Sequence, residues 1–474
     1  MSRVLIAAGG SGQEIALACL RLCRIADLSA PRTFVVDSDT MGYPEQPTRS
    51  DSLHELNALF KRCGLAEPVS FVDPYDRDQV RHTVVDLFSP YGGLDGRTRL
   101  VLDALLDKKQ QSTSIIDGFH GAPTVGAIAF GDAIACGKLD KSIFQQIDEA
   151  TESINEKHYI VVAGGTGGGT GPGVIPVLVE HLSKWRQQLA PERRGQIVLS
   201  LLVETPWFQI VERKESDIDL AGMNGNSSCL VRYYFSEIAS LVDRVLLLGL
   251  PKEIQRKSDG ANKQREGRHY LNVMAGWLAA EALAPSQLLE KSSAQGMYAF
   301  AVNEHCNALS TVEFSLERSR DGRGEPLPLH KAVDVTTAAA QAAGVVAQQL
   351  DYPDDVALPR EIWALAKILG SSRAQFQKTL TTLGKADWQL LEWLNESCGG
   401  SRPSSPGTPF ALDGQIPDPG GAAARLDLPA AGHNLAARLL RQRPLLTNLS
   451  AETAAAECYS AMRKSARVLN ERSR

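Results

Sequence analysis

Short, nearly unbroken apolar runs recur along the first 250 residues. Most hand over to a glycine-bearing or polar turn and then to a segment whose apolar residues return at helical spacing. Val4–Ala8, Thr33–Val36, Val69–Val72, Tyr159–Val162, Gln196–Val203 and Val242–Leu248 read as strands. Their runs are too continuous for a half-exposed sheet, so they are predicted to be buried on both faces. Helical spacing follows over about Ile15–Ala26, Ser52–Cys63, Arg77–Phe88, Thr98–Leu106, Val125–Cys136, Ser142–Glu156, Val174–Trp185 and the second half of Asp219–Glu237. Polar Lys108–Ser114 is expected to be mobile, and Pro191–Gly195 a solvated turn. Such alternation predicts an α/β fold: a parallel sheet flanked by helices, with its loops gathered at the carboxyl edge where these folds bind ligands.

The pattern then changes. Arg268–Leu289 is apolar and Ala-rich with its polar residues near the start, and predicts a long central helix ending or kinking near Pro285. Met297–Val302 and Leu309–Ser315 read as strands, and Val333–Leu350, Arg360–Leu369 and Ala374–Cys398 as helices, which suggests a smaller second α+β domain. Gly399–Gly421, with SRPSSPGTP and PDPGG, has the composition of a disordered linker. Asn434–Arg443 and Ser450–Glu471 are predicted helical, with Ser450 as an N-cap. The last is basic (Arg463, Lys464, Arg467, Arg472, Arg474), which suits either a solvated face or a tail that docks a protein partner.

Composition narrows the classes. The 474 residues carry a net charge of -5, which argues against a coat for nucleic acid. With 43% apolar and 22% charged residues the chain reads as a soluble protein, and no apolar run is long enough to span a bilayer. The first residues run straight into a strand, so no signal peptide is expected. Eight Cys without a CxxC, with Cys19 and Cys23 one turn apart on an apolar face, fit core positions and a reducing cytoplasm. Nine His show no metal spacing.

Candidate chemistry concentrates in the turns. Ala163–Gly173 (AGGTGGGTGPG) holds seven Gly in eleven residues between a strand and a helix. Without Cβ atoms its backbone can approach a ligand, and its N–H groups, with the helix N-terminus behind them, form a cradle for phosphate oxygens. Thr166 and Thr170 add hydroxyls, and Pro172 suits a first helical turn. A Gly-Lys-Ser/Thr triplet is absent, so this is not a P-loop. Gly9-Gly10-Ser11-Gly12-Gln13-Glu14 is a second such loop, and Gly118–Gly126 a third. Asp37-Ser38-Asp39-Thr40 ends the second strand, where an acidic residue serves a ribose, a phosphate-bound Mg²⁺, or merely a polar turn.

These loops, in this order, resemble the tubulin/FtsZ superfamily over roughly residues 1–290. Gly165–Gly173 is similar to its GGGTGTG signature, with Pro172 in place of Thr or Ser. Gly9, Gly12 and Gln13 match its first phosphate loop, Asp37–Thr40 its second-strand loop, and Gly118–Gly126 its GAGANPEVG loop. Pro206-Trp207-Phe208 sits where the family contacts ribose, and Asn272 matches the Asn that contacts guanine. The resemblance implies a cytoplasmic, GTP- and Mg²⁺-binding protein that stacks head-to-tail with itself into filaments. Together with the patterning beyond residue 290, it gives the expected organisation: a nucleotide-binding domain (1–267), a central helix (268–289), a second domain (290–398), a linker (399–433) and a helical tail (434–474). It implies nucleotide contacts from Gly9, Gly10, Ser11, Gly12, Gln13, Asp39, Gly118, Gly121, Ala122, Pro123, Gly167, Gly168, Gly169, Thr170, Gly171, Pro206, Arg268 and Asn272.

The chain departs from the family in three places. Arg268 stands where an aromatic stacks on the base, with Tyr270 as a substitute. Pro251-Lys252 replaces an Asn after the sixth strand. The loop that supplies a catalytic carboxylate in trans reads Ala284–Lys291, where only Glu290 is acidic and its spacing differs. Binding with slow hydrolysis is therefore expected. A non-polymerising nucleotide sensor or scaffold is the alternative. A nicotinamide-dependent oxidoreductase built on Gly9–Gly12 and Asp37 leaves Gly164–Gly173 without a role.

Overall fold

A computed structural model describes residues 1–37, 49–72, 83–87, 96–115, 119, 121–206, 208–210, 220–249, 256–258, 270–286, 289, 296–301, 329–351, 369–397 and 450–472. The expected strand Leu309–Ser315, all but the end of the helix at Arg360–Leu369, most of that at Arg77–Phe88, the linker and the helix at Asn434–Arg443 lie outside them.

Nine strands are described: β1 (Arg3–Ala8), β2 (Arg32–Val36), β3 (Val69–Val72), β4 (His158–Gly165), β5 (Ile197–Glu204), β6 (Phe208–Ile210), β7 (Arg244–Gly249), β8 (Arg256–Ser258) and β9 (Met297–Ala301). Seven form one sheet in the order β3-β2-β1-β4-β5-β7-β9. Every neighbouring pair is parallel. β6 and β8 make a separate parallel ribbon.

The long helices are α1 (Gly9–Ile25), α2 (Arg49–Arg62), α3 (Gly96–Leu105), α4 (Pro123–Ala135), α5 (Thr170–Gln188), α6 (Leu220–Ser236), α7 (Tyr270–Ala282), α8 (Leu329–Asp351), α9 (Arg373–Ser397) and α10 (Ala451–Arg472). Alternate residues of β1 explain its unbroken apolar run: Leu5 and Ala7 enter a core with α1, α2 and α7–α10, while Val4, Ile6 and Ala8 enter one with α3–α6. No described helix is long and apolar enough to cross a membrane.

Several elements differ from expectation. α1 starts at Gly9 rather than near Ile15, because Ala8 is still extended (φ −102°, ψ 117°) and Gly9 alone makes the turn at φ +68°. The sequence read as a loop is thus the helix's first turn and a half. Lys108–Gln111, expected to be mobile, is a helical turn held by a capping box between Asp107 and Gln110. Pro191–Arg194, read as a turn, also closes a helical turn. The helix expected over Ser142–Glu156 is a π-turn, Asp140–Phe144, running into Gln145–Ala150.

The larger differences concern the second half. β9, expected in a second domain, pairs with β7 and extends the main sheet. α8, α9 and α10 share the α1/α7 core, so in the described residues this half adds a helical layer. The C-terminal helix, read as a solvated face or docking tail, packs against α8 and α9. Ala455, Cys458, Tyr459 and Met462 recur at helical spacing and are buried, so its inner face is taken. Ser450 caps it as expected, its Oγ accepting the Thr453 N–H at 3.2 Å.

Arg463, one of the basic residues expected outside, is 3% exposed in a polar cluster joining both ends of the chain. Arg24 on α1 grips Asp387 on α9 bidentately, at 2.9 and 3.0 Å. Arg463 and Tyr459 on α10 also donate to Asp387, and Arg463 reaches the Arg24 and Ile25 carbonyls at 2.7 and 3.0 Å.

α1 and α7 touch through glycine. A Cβ on Gly276 would lie 2.6 Å from the Cys19 nitrogen and 2.7 Å from the Ala18 Cβ. Because the first obstacle is backbone, it cannot rotate aside. Gly276→Ala is expected to cost about 1–3 kcal/mol through forced separation of the helices. Urea unfolding measures this, and an unchanged midpoint would show that the helices have room to part.

Candidate functional site

The sheet reverses its winding between β1 and β4. α1, leaving β1, packs in one core, and α5, leaving β4, in the other. In open α/β sheets this switch point leaves a crevice outside the carboxyl ends of the strands. The glycine segments meet there. A Cβ on Gly9 would lie 2.6 Å from the Gly171 nitrogen, and one on Gly12 2.8 Å from the Ala163 oxygen, so the start of α1 presses on the β4–α5 turn. A Cβ on Gly173 would lie 2.4 Å from the Pro123 oxygen, and one on Gly126 2.9 Å from the Gly169 oxygen, so α4 presses on the same turn from the other side. The first, third and central glycine segments therefore form one body.

None of the three helices has a side-chain cap. Their N-cap positions are Ala8, Ala122 and Gly169, and none makes a side-chain capping bond. No N-cap side chain takes the first-turn N–H groups of α1, α4 and α5, of which Pro123 and Pro172 carry none, and three positive helix ends converge. Gly168 is exposed, and a Cβ there would meet nothing within 4 Å. It faces open space, whereas its neighbour Gly169 is buried against Phe119, 2.8 Å from a built Cβ.

The other sequence candidates fall into place around this body. Gly10, Ser11, Gly167 and Thr170 are half-buried at its surface, as are Ala122 and Pro123, and Gly121 is exposed with φ +80°. Ser11 packs on Gly165, where a Cβ would meet its Oγ at 2.5 Å. Gln13 is buried, and its Nε2 donates to Asp37 Oδ2 at 2.7 Å, which ties the start of α1 to the end of β2. The Thr166 hydroxyl, read as a ligand donor, is instead fully buried 2.6 Å from the Ser227 Oγ. Pro206 is half-buried just beyond β5, and Asn272 is 3% exposed in the first turn of α7. Asp39, Gly118, Trp207, Arg268 and Glu290 lie outside the described residues.

Phe119 and the start of α6 were not singled out from sequence. Phe119 floors the cradle under Gly169, and Asn226 Nδ2 reaches the Gly121 oxygen at 3.4 Å while Ser227 holds Thr166. The available signal was an aromatic inside a glycine turn and the polar run Asn224–Ser228 in an otherwise apolar helix. Among the described residues no cluster of three or more His, Cys, Asp or Glu is placed to hold a metal ion.

No family model matches the chain, and no curated protein matches it in sequence. Among solved structures it is similar to CetZ1 from Haloferax volcanii, a GDP-bound monomer, with 14% identity and a TM-score of 0.34. That match covers 63% of this chain and 66% of CetZ1, just under two thirds of its length.

Proposed function

We propose that the chain is a GTP-binding protein of the tubulin/FtsZ type that associates with itself head-to-tail. The observation that supports it most directly is the convergence of three uncapped helix N-termini, α1, α4 and α5, around the open Gly168 at the switch point of a parallel sheet. Backbone N–H groups there suit phosphate oxygens, with the Thr170 hydroxyl beside them. Gln13, assigned to the nucleotide by resemblance, also bonds Asp37 and so holds β2 against α1. Asp39 is assigned to Mg²⁺ carried with the phosphates, and Pro206 and Asn272 to the nucleoside, by resemblance. A phosphoryl group offered to water would supply the chemistry, and this chain's part is to hold the phosphates and neutralise their charge. Glu290 is the sole acidic residue between Ala284 and Lys291, at a spacing unlike the family's, so turnover is expected to be slow.

Titration calorimetry with GTP, GDP and ATP, paired with sedimentation, tests this. The expected result is guanine nucleotide binding at least tenfold tighter than ATP, with GTP-dependent pelleting at high protein concentration. Binding without pelleting would favour the non-polymerising scaffold. Absence of any nucleotide binding would remove the proposal.

A further inference from the structure

The opposite edge of the sheet holds a charged cavity. It occupies about 500 Å³ and is lined by Lys157, Arg186, Arg194, Asp243 and Arg244 among others. Lys157 precedes β4, Arg194 lies just before β5, Asp243 precedes β7 and Arg244 opens it, and Arg186 lies in the last turn of α5. The cavity therefore sits at the amino-terminal ends of three adjacent strands. Sixteen residues of α5 separate Thr170 from Arg186, about 24 Å of helix. A nucleotide held in the cradle of the same copy does not reach it.

Four cations and one carboxylate line this cavity in a chain whose net charge is -5. The carboxylate is already engaged: Asp243 Oδ2 pairs with Arg186 and accepts the Leu199 N–H at 2.7 Å. Arg186 is further fixed by the Leu241 oxygen at 3.2 Å. Those two groups cancel, which leaves Lys157, Arg194 and Arg244. The Lys157 ammonium donates one N–H to the Gly195 oxygen at 2.7 Å. Among the described residues neither Arg194 nor Arg244 makes an ion pair, and Nη1 of half-buried Arg244 is out of contact with solvent without an acceptor. A buried cationic donor without a partner is costly, and a cavity lined by one sign of charge concentrates counter-ions. The volume is that of a small-molecule site.

We propose that this cavity binds a phosphate-chain anion. Two sources share that chemistry: a free polyphosphate, or the phosphate end of a nucleotide carried by a second copy stacked along the strand direction. The second source rests on the head-to-tail reading above.

The test uses the full chain carrying Gly168→Asp, which closes the cradle, with tripolyphosphate as the titrant at low salt. One binding event is expected, weakened at least tenfold in the added variant Lys157→Gln/Arg194→Gln. Both of those side chains are exposed, so the fold is retained, and circular dichroism checks it. Arg244→Gln supplies an independent variant with the same expected loss. Absence of binding to Gly168→Asp, or unchanged affinity in Lys157→Gln/Arg194→Gln, overturns the proposal. Sedimentation with GTP then separates the sources in an intact cradle. Loss of pelleting by Lys157→Gln/Arg194→Gln with GTP binding retained assigns the neighbour's nucleotide, and unchanged pelleting assigns a free anion. If the unaltered chain does not pellet at all, the head-to-tail reading fails, and the tripolyphosphate titration still decides the cavity.

Discussion

Gly168→Asp is expected to weaken GTP binding by at least 100-fold, about 2.8 kcal/mol, while leaving the thermal unfolding midpoint unchanged. Three facts combine to give this result. Gly168 is exposed, a Cβ on it meets no atom within 4 Å, and its φ is not in the left-handed region, so an L side chain fits. On the proposed reading phosphate oxygens accept from the helix ends next to Gly168, so a carboxylate there repels them. Two unit charges 4 Å apart repel by about 4 kcal/mol at an effective dielectric of 20, so a loss near 3 kcal/mol is reasonable after solvent screening. Gly168→Asn, of the same size without the charge, separates blocking from repulsion and is expected to keep at least tenfold more affinity than Gly168→Asp. Calorimetry with GTP, beside a melting curve, measures both. An affinity for Gly168→Asp within threefold of the unaltered chain would mean that phosphates do not bind there. Gly9 is the contrasting position: its positive φ and the Gly171 nitrogen 2.6 Å from a built Cβ mean that a side chain there damages the fold first.

How far the sequence disclosed this arrangement depends on the kind of signal. The strands were legible because a parallel strand buried on both faces leaves a short apolar run such as Val4–Ala8 or Tyr159–Val162, and the glycine turns that follow separate it from a buried helix. Glycine placement was legible too, since Gly9, Gly12, Gly126, Gly169 and Gly173 mark backbones packed closer than a Cβ permits. What those glycines touch was not legible. Gly9 with Gly171, and Gly173 with Pro123, are contacts over distances in sequence that no local pattern encodes. The same limit hid the bond from Gln13 to Asp37, which joins the start of α1 to the end of β2. β9 was misplaced because five apolar residues carry no information about which sheet they join. Arg463 was misread because a basic residue on an amphipathic helix normally faces water. Only the positions of Arg24 and Asp387, 439 and 76 residues away, make it a core residue.

That cluster carries the second large effect. Removing its carboxylate with Asp387→Ala is expected to destabilise the protein by about 3–5 kcal/mol, because Arg24 then remains buried without a counter-charge and Arg463 keeps only Asp27, half-exposed and 3.8 Å away. Asp387 is fully buried, and Arg24 and Arg463 are 5% and 3% exposed, so solvent cannot replace it. Burial alone would raise the Asp387 pKa, but Arg24 and Arg463, with the bonds from Arg24 and Tyr459, hold it below the usual carboxylate value. A carboxyl depressed in the folded state stabilises the protein above its unfolded pKa, and that contribution is lost as pH falls through the folded value. The unaltered chain should therefore lose stability steeply below about pH 4. Asp387→Ala should start lower and show a shallower slope there, since it has no such group to protonate. Urea unfolding of both proteins between pH 7 and pH 3 measures this, and equal slopes would show that the carboxylate does not carry the acid sensitivity. The paired substitution Arg24→Met/Asp387→Leu in an Arg463→Met background is the complementary test. It removes the charges together and is expected to recover most of the loss, since apolar side chains of similar volume replace buried ion pairs at little cost. Recovery would identify charge imbalance as the source of the instability in Asp387→Ala. Failure to recover would place it in the hydrogen bonds from Arg463 to the Arg24 and Ile25 carbonyls, through which α10 closes the end of α1.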